Sequence, residues 1–168
     1  YRKLIGEEGA EKYTNKITAF ILDRSEDKLA ALEKVSKVLA MDYNFAATET
    51  EDRLAPLEKR IAPSVADWLK AMYYADFIFT DSFHGCVFSI LFNKPFVLYV
   101  NRNRGVARFD SLLKLFKIEN RTLSDSNELE SCRIRQSIDW KPINAKLEEM
   151  RSKSMRFLEN ALTAKDEQ

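Results

Sequence analysis

The 168-residue chain carries 27 basic and 26 acidic side chains, for a formal net charge of +1. That balance argues against a nucleic-acid surface but leaves room for a local basic pocket. At 45% hydrophobic and 32% charged residues, with no stretch approaching a membrane span, the composition is that of one globular domain with a sizeable core.

Residues 1–15 are polar, with Gly6 and Gly9, and read as a linker or frayed helix entering from a preceding lobe. The chain starts at Tyr1 rather than methionine, so it is expected to be a piece of a longer protein, and the lack of a visible signal peptide says little about that parent. The apolar run 17–22 (ITAFIL) predicts a strand ending at Asp23, with Ser25 as N-cap of the next helix. Over 26–40, Leu29, Leu32, Val35, Ser36 and Leu39 recur at three- and four-residue steps, the pattern of an amphipathic helix. Its charged remainder, including Asp27, Lys28 and Lys34, reads as a solvated face. Residues 44–48 predict a short second strand, and the charged segment 49–61 a mobile connection. Pro63, Ser64 and Asp67 form an acidic variant of the capping box, opening a helix over 65–74 with Val65, Trp68, Leu69 and Met72 on one side.

The stretch 75–100 organises the rest. Phe77-Ile78-Phe79-Thr80 is too short for a helix and suits a buried strand. Asp81 and Ser82 are both N-cap types, and the dense apolar run 86–92 reads as a buried helix stopped by Asn93-Lys94-Pro95. Residues 96–100 supply a second buried strand, so the unit is a right-handed crossover between parallel strands. Beyond it come a basic loop at 101–108, in which Gly105 permits a turn, and an amphipathic helix over 109–118. An edge strand at 121–123, a loop or short helix over 124–136 and a long helix opened by Pro142, over 142–164, complete the chain. Strands alternating with helices predict a single Rossmann-like α/β domain over residues 1–168 with a doubly wound parallel sheet.

His84, the only histidine, sits with Gly85 at a helix start just past the carboxyl end of a strand, where open α/β sheets hold ligands. It is either a structural histidine of that turn or a proton donor, since a bound dianion favours the protonated imidazole. Asp81 either caps the helix, orients His84 or meets a substrate hydroxyl. Ser82 and the amides of Phe83, His84 and Gly85 form a candidate anion cradle, because N–H groups at a helix start lack intrahelical partners. Arg102, Arg104 and Arg108 follow the next strand on the same sheet edge. A guanidinium fork matches carboxylate and phosphate; the alternative is a solvated basic loop. Cys86 and Cys132 lack metal-ligand spacing and read as free thiols of a reducing, cytoplasmic compartment. The residues point to no metal and no redox cofactor.

The run 80–96, TDSFHGCVFSILFNKPF, followed by NRNRGVARF at 101–109, closely resembles the polysaccharide pyruvyl transferase family. The resemblance extends upstream through PSVADWL at 63–69 and downstream to KSMRFL at 153–158, covering most of this chain but half of the family's usual length. It implies the C-terminal lobe of a GT-B-like fold built from two Rossmann-like lobes. The implied reaction moves a pyruvyl unit from phosphoenolpyruvate to a hydroxyl pair of a cell-surface polysaccharide or its precursor, forming a pyruvate ketal in bacterial exopolysaccharide or cell-wall synthesis. Phosphoenolpyruvate is the donor substrate, and no cofactor is implied. The resemblance assigns the matching histidine, His84, to the active site. Asp81 is expected beside it, with Ser82, Phe83, Gly85, Arg102, Arg104 and Arg108 on the substrate. Branches of the family carry an arginine where this chain has Ser82, so contacts made by that arginine do not carry over. Two other readings stand beside this one. A sugar-nucleotide glycosyltransferase lobe shares the layout, although its nucleoside pocket usually shows an acidic ribose partner where NRNRGVARF is basic. The other is a non-catalytic sugar- or anion-binding module.

Overall fold

A computed structural model describes residues 2–48, 54–100, 106–130 and 134–163. The chain divides into two units, Tyr1–Ser137 and Ile138–Gln168. The first holds five strands, β1 (Lys16–Phe20), β2 (Asp42–Phe45), β3 (Phe77–Thr80), β4 (Phe96–Tyr99) and β5 (Thr122–Leu123). They form one sheet in the order β2-β1-β3-β4-β5, every pair parallel. Its helices are α1 (Arg2–Ile5), α2 (Glu26–Leu39), α3 (Leu57–Arg60), α4 (Val65–Tyr74), α5 (Phe83–Leu91) and α6 (Val106–Phe116).

Strand alternation explains why helices cover both faces. Ile17, Ala19, Phe77, Phe79 and Val97 point to one face and pack with Ala31, Leu32 and Val35 of α2. Each such burial contributes roughly 1.5–3 kcal/mol for a large apolar side chain. On the other face, Thr18 Oγ1 donates to the Ala71 carbonyl of α4 at 3.0 Å, and Phe20 meets Trp68 edge-on with ring centroids 5.2 Å apart. Trp68 in turn meets Phe88 of α5 at 4.9 Å. The sheet is therefore doubly wound and Rossmann-like.

Caps fall where the side chains allow them. Ser25 accepts from the Lys28 amide at 3.3 Å and opens α2. Ser64 opens α4 by accepting from the Asp67 amide at 3.1 Å, while its hydroxyl donates to the Asp67 carboxylate at 2.7 Å. That is the acidic capping variant read from the sequence, with the hydroxyl rather than the backbone reaching Asp67. Val65, expected on the buried side of α4, is 75% exposed, because it occupies the first helical position ahead of the stripe formed by Leu69 and Met72.

Two connections differ from the sequence reading. The N-terminal segment is not a frayed linker: Ile5 is buried, Lys70 Nζ donates to the Glu8 carbonyl at 2.6 Å, and the Tyr74 hydroxyl donates to the Gly6 carbonyl at 3.1 Å. The 49–61 connection contains one helical turn, α3, while residues 49–53 lie outside the described residues.

The second unit is α7 (Trp140–Thr163), which starts two residues before Pro142. Pro142 fits there because amides in a first turn have no intrahelical acceptor. Lys146 and Lys153 both pair with Glu149, holding its carboxyl well down at about 2, chiefly through the Lys153 hydrogen bond. Met150, Phe157, Leu158 and Leu162 of this helix are exposed. Among the described residues no helix is long and apolar enough to cross a membrane.

Candidate functional site

The strand order reverses between β1 and β3, since β2 lies on one side of β1 while β4 and β5 continue beyond β3. At such a switch point two loops diverge from neighbouring strand ends and leave a crevice at the carboxyl edge. A cavity of about 320 Å³ occupies that place. Leu22, Asp23 and Lys28 line it from the β1–α2 connection, and Asp81, Ser82, Phe83 and His84 from the β3–α5 turn. Arg108 and Phe109 of α6 complete the lining.

Thr80 sets the β3–α5 turn. Its hydroxyl donates to the Phe20 carbonyl at 2.7 Å and accepts from the Ser82 amide at 3.0 Å. A Cβ on Gly85 would fall 2.2 Å from Thr80 Oγ1 and 2.9 Å from its Cβ. The glycine at 85 is thus dictated by the approach of α5 to the strand, and its missing side chain faces the sheet rather than the cavity. Ser82 is the N-cap residue of α5 but makes no side-chain cap, and its amide is committed to Thr80. The Ser82 amide is therefore engaged, while the amides of Phe83, His84 and Gly85 precede the first intrahelical bond, from the Cys86 amide to the Ser82 carbonyl.

Asp81 does not cap α5. Its carboxylate accepts from the Leu22 amide at 2.8 Å, the Asp23 amide at 3.2 Å and Lys28 Nζ at 2.7 Å. The side chains of this ion pair are 4% and 5% exposed for Asp81 and Lys28. Lys28 Nζ also donates to the Asp23 carbonyl at 2.6 Å and stands 5.7 Å from the centre of the Tyr99 ring. Lys28 was placed on a solvated helix face by its charge; it is buried instead, because it lies one helical turn before Ala31 and Leu32 on the same stripe. Asp27, its neighbour, accepts from the Tyr99 hydroxyl and from the Ser126 amide at 3.1 Å, and the Tyr99 bond is the main cause holding its carboxyl below the usual range. Lys34 is also engaged, donating to the Ser126 carbonyl at 2.9 Å.

The two candidate chemical groups are different. His84 and Arg108 are exposed, and among the described residues neither makes a hydrogen bond or ion pair. The Arg108 guanidinium lies 5.2 Å from the Phe83 ring centre and 5.6 Å from that of Phe109, so two aromatic rings steady it while its donors meet no acceptor among the described residues. Of the expected site residues, His84, Asp81, Ser82, Phe83 and Arg108 meet at one cavity. Gly85 is not one of its lining residues. Arg102, Arg104 and Cys132 lie outside the described residues. Buried Cys86 sits on the helix away from the lining, its thiol pushed up to about 12 by burial.

A family model described as Polysaccharide pyruvyl transferase matches residues 6–103, more than half of the chain. The chain belongs to the polysaccharide pyruvyl transferase family. Membership places it among transferases, with a polysaccharide as the implied acceptor. The matched span includes β1 to β4, the Lys28–Asp81 pair and His84, and ends before Arg108 and α7. No curated protein and no solved structure matches the chain.

Proposed function

We propose that the cavity at the β1/β3 switch point is the donor site of a pyruvyl transferase that takes phosphoenolpyruvate and forms a pyruvate ketal on a saccharide. The observation that carries this reading is the meeting at one cavity of an imidazole and a guanidinium that make no hydrogen bond or ion pair among the described residues, within a chain of this family. At about 320 Å³ the cavity lies near the lower end of ligand pockets, roughly 300–1,000 Å³, which suits a small donor.

In this reading Arg108 forks the carboxylate or phosphate of phosphoenolpyruvate, with Arg102 and Arg104 as further candidates. The amides of Phe83, His84 and Gly85 face the phosphate, and Ser82 and Phe83 contact the donor. His84 gives its proton to the methylene carbon, which leaves the central carbon electrophilic. A sugar hydroxyl bonds to that carbon and its proton returns to the His84 imidazole. Phosphate departs with the C–O bond electrons, and a second hydroxyl closes the ketal as its proton passes to the departing phosphate. Alternatively His84 acts as base on the attacking hydroxyl. Cations and helix amides stabilise the departing phosphate.

The domain is proposed as one lobe of a two-lobe GT-B-like enzyme, with the acceptor held by the other lobe. The 168-residue chain alone should then bind donor but transfer little, because positioning of the second reactant is missing. A titration of the chain with phosphoenolpyruvate and, separately, with nucleotide sugars tests the donor assignment, with phosphoenolpyruvate alone expected to bind. Binding of a nucleotide sugar without phosphoenolpyruvate would instead favour a glycosyltransferase lobe. Ketal formation, read with phosphate release in an assay of the whole enzyme on saccharide acceptors, tests the reaction.

A further inference from the structure

Below the cavity, one buried lysine joins elements that lie far apart in sequence. Lys28 Nζ reaches the Asp23 carbonyl in the β1–α2 connection and the Asp81 carboxylate at the end of β3. Asp81 in turn takes the amides of Leu22 and Asp23. These four residues all line the cavity, so the contacts form a closed clamp between its two walls. One wall is Leu22 and Asp23; the other is the turn that carries Ser82, Phe83 and His84.

We propose that Lys28 is a positioning residue of this site, acting through Asp81 to fix the separation of the two walls and with it the place of His84. The chemistry favours this over a purely stabilising role. A buried ion pair is weak as a source of net stability, because desolvation offsets most of the Coulombic gain. What it supplies is geometry: two acceptors at 2.6 and 2.7 Å admit one place for the ammonium. The pair also removes Asp81 from direct chemistry, since its carboxylate already serves three donors. The identity of the ligand rests on the donor-site reading above; the clamp itself does not.

The test is a double-mutant cycle in the full chain on Lys28→Met, Asp81→Asn and the combined variant. Three quantities are read: amide exchange at Leu22 and Asp23, the imidazole NMR signal of His84 (the only histidine), and the dissociation constant for phosphoenolpyruvate. Lys28→Met is expected to speed exchange at both amides, to displace the His84 signal and to weaken binding by roughly tenfold to a hundredfold, the scale of effect that a misplaced group produces. Adding Lys28→Met to Asp81→Asn should change these readouts little further, because both act through one contact. Where Lys28→Met does not fold, Lys28→Arg is read in the same way, since a planar guanidinium meets the two acceptors with a different geometry and more bulk than an ammonium. A His84 signal and amide exchange at wild-type values in a folded, less stable Lys28 variant would overturn the proposal, as would full additivity in the cycle. Absence of any phosphoenolpyruvate binding by the wild type would instead remove the donor reading, leaving the exchange and imidazole readouts to decide the clamp.

Discussion

Beneath the cavity, Thr80, Asp81 and Lys28 are buried and spend their polar atoms on one another and on neighbouring backbone. At its rim, His84 and Arg108 are exposed and have no polar partner among the described residues. Both sets surround the same crevice at the carboxyl edge of the sheet, yet they differ in what they leave available. A group whose donors and acceptors are satisfied inside the protein fixes geometry; one held only by aromatic contacts keeps its capacity for a ligand. The contrast separates residues that build the site from residues that would act in it, and substitutions on each side should behave differently.

The largest effect is expected at the rim. In the intact enzyme His84→Asn should lower turnover by roughly a hundredfold to ten-thousandfold while phosphoenolpyruvate affinity changes little, since proton transfer acts in the transition state. Near wild-type turnover with an unaltered pH–rate profile would place His84 with the structural residues and erase the contrast. Below the cavity, Gly85→Ala should instead cost about 3 kcal/mol of stability, at the upper end of ordinary overpacking, because the new methyl meets Thr80 rather than open space. Unchanged thermal unfolding of Gly85→Ala would show that the β3–α5 turn is looser than its contacts imply.

Arg108→Ala sharpens the comparison within the rim itself. A fork on the donor contributes to the ground state, so its loss should raise the apparent KM for phosphoenolpyruvate about tenfold, the worth of one charge-assisted hydrogen bond, with turnover little changed. A drop confined to turnover would assign Arg108 to the departing phosphate in the transition state.

The site was legible where one local pattern decides a residue's surroundings. Phe77–Thr80, the turn and α5 follow from a short apolar run, cap-type residues and a stop at Pro95, and they place His84 on the carboxyl edge. Lys28 was not read, although its position was open to reading: with Ala31, Leu32 and Val35 it keeps the helical step of the apolar stripe. Charge argues for solvent there, and burial is acceptable because the distant Asp81 and the Asp23 carbonyl take the ammonium. The cap reading of Asp81 fails for the same reason. A carboxylate before a helix start has a local use as a cap, and its actual partners lie more than fifty residues away in sequence.

The smallest effect belongs to a second pinned pair, Asp27 and Tyr99, whose ring centre lies 5.7 Å from Lys28 Nζ. Tyr99→Phe removes the main cause that holds the Asp27 carboxyl below 3.8, leaving the Ser126 amide in place. Its cost should be about 1 kcal/mol at neutral pH, an ordinary hydrogen-bond loss. The sign with pH follows from both partners. Asp27 has a folded pKa lowered from 3.8, so its contribution is fully present above that value and is lost as the pH falls through the lower, folded one. Tyr99 is raised above 10.0, first by burial and then by the Asp27 bond, so its contribution is present below 10.0 and is lost as the pH rises through the folded value. The stability gap between wild type and Tyr99→Phe should therefore be a plateau between those limits that narrows at both ends. Denaturant unfolding at several pH values measures it. A gap that widens toward acid would mean that protonated Asp27 makes the stronger bond, and that this pair is not held by its charge.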